Sequence, residues 1–561
     1  MTTDTPARTA RAGHDPVVYR RLGWWREETF TDDLRRRAAA RPHRLALAAR
    51  RAAESRTDTL SYRELDRLAD RFAGALAGLG VRAGDVMAVQ LANQWEIVPL
   101  IFACARAGAV ICPITPDCPP EELRHRLELT QARVVVAQTS WQGDQIAARV
   151  AALRDGLPDL AQVFAVGGTA PEGTLDFHGH FVETPWEEGP DAFGDGRALG
   201  ADDPYVVLFT SGTTGPSKAV VHTQNSLHAA LLGYTGAFGM DDRLVVATYS
   251  SLCHYSGFAQ GILAGVMLGG TVVVQDRADP EGLLDLVERH GATLLYGPPP
   301  VLAAVVAAQR SRPREVGTLR HAVIGTGPVL RGLSDAVRDV LGARAFSLWG
   351  MSESGPVTMT RPEDPDGWAV HSNGRPIEAM DVRIDPVDGL DPAGAPAGGT
   401  ADGVRAVGRL RMRGAGLCLG YHRREDLFRG EFDADGWFDT GDLAREDGRG
   451  GIRVLGRASD AIVRGGRVAP VPELEALAAD CPGVAEAAVV AIPGAAGEEI
   501  CVVVVPDGGA SPSLPGVLAR LREEGVAEEF LPGRLAVTEA LPRTPTGKVR
   551  KAVLREQYAV R

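Results

Sequence analysis

The 561-residue chain carries 60 lysines plus arginines against 72 aspartates plus glutamates, a formal net charge of −12, and is 45% hydrophobic. That balance excludes a general nucleic-acid binder, which needs a basic surface against the phosphate backbone. No run of about 18 apolar residues occurs, so no membrane-spanning helix is expected. The seven cysteines are scattered without a C-x-x-C pair, which argues against a zinc or dithiol site and fits a reducing, cytoplasmic setting. Met1 to Asp15 has no apolar core of a secretory signal, and the C-terminal Tyr558-Ala559-Val560-Arg561 is not a peroxisomal address.

In chain order, residues 1–15 read as a disordered tail. Ser61-Tyr62-Arg63-Glu64 is a capping-box pattern, and Leu65, Leu68, Ala69, Phe72 and Leu76 then follow helical spacing. Val86–Leu91 and Gly108–Pro113 read as buried strands with helical residues 95–107 between them. That β-α-β rhythm implies parallel sheet with helices on its faces; similar units are expected at 204–235 and 271–305. Residues 388–403, rich in Gly, Ala, Asp and Pro, read as a surface loop. After about residue 456 the texture changes: strands at 484–492 and 500–505 and helices at 472–480 and 514–524 predict a compact α+β unit of about 100 residues. Leu263 to Met267 reads as core.

Only three of the 60 basic residues are lysines: Lys218, Lys548 and Lys551. A lysine kept in so arginine-rich a chain marks a place where a compact, mobile ammonium serves and a rigid guanidinium does not. Lys218 ends Thr210-Ser211-Gly212-Thr213-Thr214-Gly215-Pro216-Ser217-Lys218, directly after the strand Tyr205–Phe209. Glycines let backbone N–H groups approach an anion, and Ser211, Thr213 and Thr214 add hydroxyl donors, so the loop reads as a phosphate cradle. It is not a Walker loop, whose G-x-x-x-x-G-K-[ST] string is absent. A G-x-S-x-G nucleophile elbow is likewise absent.

The S-G-T-T-G-x-x-K string resembles the signature of the adenylate-forming superfamily, which includes acyl- and aryl-CoA synthetases, peptide-synthetase adenylation domains and firefly luciferase. Five further segments resemble its motifs in the same order. These are Gly325-Thr326-Gly327-Pro328 on the adenine side, Trp349-Gly350-Met351-Ser352-Glu353, Phe438-Asp439-Thr440-Gly441-Asp442, the hinge segment Gly456-Arg457-Ala458-Ser459-Asp460, and Leu541 to Lys548. The resemblance implies an α/β fold. A large N-terminal adenylation domain over 16–458 has β-α-β layered sheets, and a small mobile α+β domain spans 459–561, with Ser459 at the hinge where the family usually has aspartate or lysine.

By that resemblance Thr210, Ser211, Gly212, Thr213, Thr214, Gly215 and Lys218 would hold the β- and γ-phosphates of ATP. Gly325, Thr326, Gly327, Trp349, Gly350 and Met351 would line the nucleotide. Ser352 would contact the α-phosphate, and Glu353 would ligate Mg²⁺, a hard carboxylate for a hard cation. Asp442 would accept hydrogen bonds from the ribose with Arg457 beside it. Lys548 would bridge the substrate carboxylate and the α-phosphate. His254, Tyr255, Phe258 and Gly327 would wall the acid pocket, His254 being counted with Ser352, Glu353 and Lys548 as catalytic.

The implied reaction is adenylation of a small aryl, alicyclic or fatty acid with release of pyrophosphate, followed by transfer to CoA. Ile462-Val463-Arg464-Gly465-Gly466 resembles the loop along the thiol-acceptor tunnel, most closely that of aryl-acid AMP ligases. Val221–Asn225 and Val272–Pro280 instead look like alicyclic-acid CoA ligases. Alternatives are transfer to a carrier protein in trans, since only 13 residues follow Lys548, or atypical activation, such as of nitrite to diazotise an aromatic amine.

Overall fold

A computed structural model describes residues 14–189, 197–210, 217–390, 407–494, 497–508, 512–543 and 549–559. The expected helix forms over Tyr62–Gly78, with the Ser61 and Glu64 side chains capping each other's backbone amides. The expected β-α-β unit forms too: Val86–Gln90 pairs in parallel with Val110–Ile114. Every residue of the intervening helix, Ile97–Ala107, is buried. The one charge on that helix, Arg106, is held by Asp66 and Asp70 of the neighbouring helix, as a buried guanidinium requires.

Two large sheets organise the chain. An eight-stranded sheet is built around Val86–Gln90, Val110–Ile114 and Pro204–Phe209. A nine-stranded sheet runs from Arg56–Ser61 through Thr271–Gln275, Val245–Thr248, Leu294–Gly297 and His321–Ile324 to Arg344–Met351 and Gly355–Met359. Both carry parallel cores covered by helices, so their strands read as continuous Val/Ile/Ala/Leu runs. A four-stranded antiparallel sheet (Met380–Pro386, Val407–Gly414, Phe438–Glu446, Ile452–Arg457) closes over them.

The 271–305 region alternates strand and helix as expected. The 204–235 region does not: Pro204–Phe209 pairs antiparallel with Ala219–Thr223, and the helix Gln224–Ala237 comes only afterwards. Residues 210–218 are too few for a crossover helix, which takes a dozen or more, so the chain must return as a hairpin. Asp15, read with the tail, accepts from the amides of Val17 and Val18 and caps the helix Pro16–Arg21; residues 1–13 lie outside the described residues. Most of 388–403 does too.

The last hundred residues form the expected α+β unit. Val484–Gly494 and Gly497–Pro506 pair antiparallel, and Arg534–Val537 adds in parallel. The helices Val471–Ala479 and Leu514–Glu523 cover one face through Leu474, Leu477, Val517 and Leu521. Lys551–Ala559 covers the other, with Leu554 against Val490, Cys501 and Val503.

Candidate active site

The C-terminal ends of the parallel strands, the four-stranded sheet and the small unit enclose one cavity of about 960 Å³. Open α/β sheets place ligands at such strand ends. Its walls bring together Thr210, Lys218, His254, Tyr255, Thr326, Gly327, Trp349 to Glu353, Asp442 and Arg457, residues up to 247 positions apart in sequence.

Asp442 and Arg457 face each other across two antiparallel strands. The carboxylate accepts from Trp349 Nε1 at 3.2 Å and lies 3.3 Å from Arg457 Nε. Arg457 Nη1 also donates to the carbonyl of Thr440 at 2.7 Å. This buried acid is thereby fixed in orientation at the cavity wall.

Glu353 is buried, and burial raises its pKa against the opposing pull of Tyr421 and Lys218. The Tyr421 hydroxyl donates to Glu353 Oε1 at 2.8 Å. Lys218 Nζ lies 3.4 Å from that hydroxyl, 4.7 Å from the Tyr421 ring centroid and 3.0 Å from Glu431 Oε1. Tyr421 thus couples an acid and an ammonium that share one wall. Among the described residues no cluster of three or more His, Cys, Asp or Glu is placed to hold a metal. Glu353 offers a hard carboxylate oxygen, which suits Mg²⁺, an ion that takes one or two carboxylates and completes its shell with water and phosphate.

The backbone at Ser352 is held from behind. His222 Nε2 is 2.7 Å from the Ser352 carbonyl and Nδ1 is 2.9 Å from Ser226 Oγ. Burial lowers the His222 pKa to about 4, so the imidazole is neutral and must carry its proton on Nε2 to donate to that carbonyl. The turn beyond is equally constrained: a Cβ on Gly350 would sit 2.0 Å from the Gly355 carbonyl, which only glycine avoids. Thr326 adopts φ +65°, a strained value for a β-branched residue and one that persists when surroundings over-determine it.

At the other end, His254, Tyr255, Ser256, Gln260, Tyr296 and Leu348 form the wall. His254 is open to the cavity but enclosed elsewhere, and burial followed by the Arg126 charge lowers its pKa, favouring the neutral ring. Phe258 is not in the wall. It is fully buried and packs on Tyr205 at 5.9 Å, because the π-helical turn Ser256–Leu263 directs it into the core. Leu263 to Met267 is core, as expected. Gly325 lies one layer back, behind the Tyr296 hydroxyl, and the exposed Ser459 stands outside the wall, its carbonyl 3.5 Å from Arg555 Nη2. Its neighbour Asp460 lines the cavity and pairs with Arg555 at 2.7 Å. Thr210 N donates to the Lys218 carbonyl at 2.9 Å, closing the base of the loop. Ser211, Gly212, Thr213, Thr214, Gly215 and Lys548 lie outside the described residues.

Sequence reasoning missed Tyr421, Glu431 and His222, whose contacts cross 130 to 213 positions and leave no local pattern. It also passed over Lys551, which lines the cavity and pairs with Glu475 at 2.7 Å; its retention as lysine was the available signal.

Comparison with known proteins identifies this arrangement. The sequence profile of the AMP-binding enzyme family matches residues 34–422, and that of its C-terminal domain matches 473–548. The chain belongs to the AMP-binding enzyme family. It is 30% identical over 543 residues to 2,3-dihydroxybenzoate-AMP ligase of Bacillus subtilis, covering 96% of this chain and 95% of that protein. It is 28% identical to medium-chain fatty-acid–CoA ligase of Escherichia coli, covering 96% and 92%. The crystal structure of ATP-bound MatB from Rhodopseudomonas palustris superposes with a TM-score of 0.75 at 27% identity, covering 94% and 99%. Within this AMP-binding enzyme no helix among the described residues is long and apolar enough to cross a membrane.

The His222 geometry predicts a pH dependence. A group with pKa about 4 folded and 6.5 unfolded contributes stability that is complete above pH 6.5 and is lost as pH falls towards 4, because the unfolded chain binds the proton first. The thermal midpoint of His222→Gln should therefore decline less steeply than wild type between pH 6.5 and 4. Parallel slopes would remove His222 from this role.

Proposed function

We propose that this AMP-binding enzyme adenylates a small organic acid with ATP and then passes the acyl group to CoA. One observation carries the reading: a single cavity joins the Lys218–Tyr421–Glu353 and Asp442–Arg457 groups to an aromatic-walled end at His254, Tyr255 and Tyr296. Phosphate-directed and acid-directed walls face one space, as attack of a carboxylate on a nucleotide requires.

In the first step a carboxylate oxygen bonds to the α-phosphorus while the bond to the bridging oxygen of the β-phosphate breaks, and pyrophosphate leaves with that electron pair. Asp442, pinned by Trp349 and Arg457, accepts from the ribose hydroxyls. Lys218 exchanges Glu431 for the β- and γ-phosphates delivered by the 211–216 loop. Ser352, its backbone fixed by neutral His222, is held against the α-phosphate. Mg²⁺, when bound at Glu353, would neutralise phosphate charge and draw that acid towards its ionised form. Lys548 would bring the charge that bridges the two reacting anions; Val549, the next residue, lines the cavity. Preorganised charge of this kind supplies most of the rate in phosphoryl-centre chemistry.

In the second step the thiol displaces AMP from the acyl carbon. The unit from 459 onward would reorient about Ser459, whose exposure leaves room for the φ/ψ change a hinge absorbs. The Arg555–Asp460 pair lies within that unit and would travel with it. The reading places the enzyme in the cytoplasm, where ATP and CoA are available. The same cavity serves a carrier-protein thiol in place of CoA, and the decisive assay separates the two.

That assay is ATP-dependent pyrophosphate release across aryl, alicyclic and fatty acids, with and without CoA, and with nitrite plus an aromatic amine. Release with one acid class, accelerated by CoA, is expected; release only with nitrite, or with no acid, would overturn the reading. Asp442→Ala is expected to raise the KM for ATP about tenfold or more, the scale of losing a hydrogen bond to a charged acceptor; an unchanged ATP affinity would remove it from the ribose site. Lys548→Ala should suppress adenylation strongly while sparing thioester formation from a supplied acyl-adenylate, and equal loss of both would contradict its role.

A further inference from the structure

Among the described residues, every lysine and arginine in the cavity wall already faces an acid. Lys218, Arg453, Arg457 and Lys551 pair with Glu431, Glu473, Asp442 and Glu475. Three of these acids have another use. Glu473 ties the small unit to the strand Ile452–Arg457, Glu475 also accepts from the Val489 amide at 2.8 Å, and Asp442 also accepts from Trp349. Glu431 differs. Among the described residues its carboxylate has one hydrogen-bond and ion-pair partner, Lys218 Nζ at 3.0 Å.

That contact is built into the backbone. Glu431 follows the short helix Glu425–Gly430, and its carbonyl accepts from the amide of Asp439 at 2.8 Å, on the strand that carries Asp442. Lys218 leads into Ala219–Thr223, which pairs with the strand of Tyr421. Both side chains line the cavity and each is 30% exposed, so the pair is partly withdrawn from water and screened less than a surface pair. A phosphate that takes Lys218 must displace this carboxylate, and the fraction of Lys218 held by Glu431 lowers the apparent affinity. The same holds for every ligand that uses Lys218. A site that grips a triphosphate also grips the pyrophosphate cut from it, and slow departure of that product limits turnover.

We propose that Glu431 is an internal competitor for Lys218: its carboxylate weakens the hold on the β- and γ-phosphates of ATP and recaptures the ammonium as pyrophosphate leaves. The proposal rests on the acid-ligase reading, in which Lys218 holds those phosphates, and adds to it a residue that sets product release. Glu431 acts through Lys218 and not on the reacting atoms, so it is a positioning residue. Its signature is confined to ligands that carry the β- and γ-phosphates.

The test is calorimetric titration of the full chain with ATP, with inorganic pyrophosphate and with AMP, each in the presence of Mg²⁺. AMP lacks the β- and γ-phosphates and serves as the control for a folded nucleotide site. Glu431→Gln should bind ATP and pyrophosphate about threefold or more tighter than wild type, and AMP equally. Glu431→Asp, which keeps the charge, should stay closer to wild type. In a Lys218→Met background the same Gln substitution should gain little, because the two residues act as a pair. Equal or weaker binding of ATP and pyrophosphate by Glu431→Gln overturns the proposal and leaves the ligase reading standing. So does a gain or a loss that extends to AMP, or a gain undiminished without Lys218. Failure of the wild-type chain to bind ATP, pyrophosphate and AMP overturns both.

Discussion

Everything in this site depends on keeping an acid and an ammonium close together, half out of water, and oriented towards the same space. Glu353 and Lys218 cannot simply be neutralised against each other, since each must remain available to a ligand. Tyr421 resolves the conflict by standing between them: its hydroxyl donates to Glu353 and its ring and oxygen face Lys218. Glu431 holds the ammonium from the other side. Burial still raises the pKa of Glu353, and a cation bound beside it would oppose that shift.

The fold serves this arrangement by carrying each partner on a different rigid element. Tyr421 sits on a short strand paired with Ala219–Thr223, the strand that follows Lys218. Glu353 lies in the turn after Arg344–Met351, its backbone gripped by His222 through Ser352 and by Cys418 through its own carbonyl. Asp442 and Arg457 belong to neighbouring strands of the antiparallel sheet. Because Tyr421, Asp442 and Arg457 sit on paired strands and the turn carrying Glu353 is held by backbone hydrogen bonds, their relative positions are fixed by the fold and the cavity is largely preformed. The small unit adds Val471, Pro472, Glu475, Val549 and Lys551 to the same wall. Its position therefore decides whether the cavity is enclosed.

Local patterns made the helix at Tyr62, the parallel unit at 86–114 and the compact C-terminal unit legible, because capping and apolar periodicity act over a few residues. The motif segments carrying Asp442, Glu353 and Lys218 were legible as strings. What failed had a physical cause in each case. The 204–235 segment alternates like a βαβ unit, but 210–218 is too short to cross over. Phe258 follows the wall residues His254, Tyr255 and Ser256, yet a π-helical turn rotates it into the core. Tyr421 and Glu431 acquire meaning only through Lys218, more than 200 positions away, and no one-dimensional signal links them.

The central claim is that one continuous cavity receives nucleotide and acid together. Calorimetric titration with a stable acyl-adenylate analogue, an acyl-sulfamoyl adenosine of the preferred acid, tests it most directly. Joining two ligands that occupy one preorganised site should bring affinity at least about a hundredfold above AMP or the acid alone. An analogue that binds no better than AMP would show that the two walls do not act on one ligand, and would contradict the account.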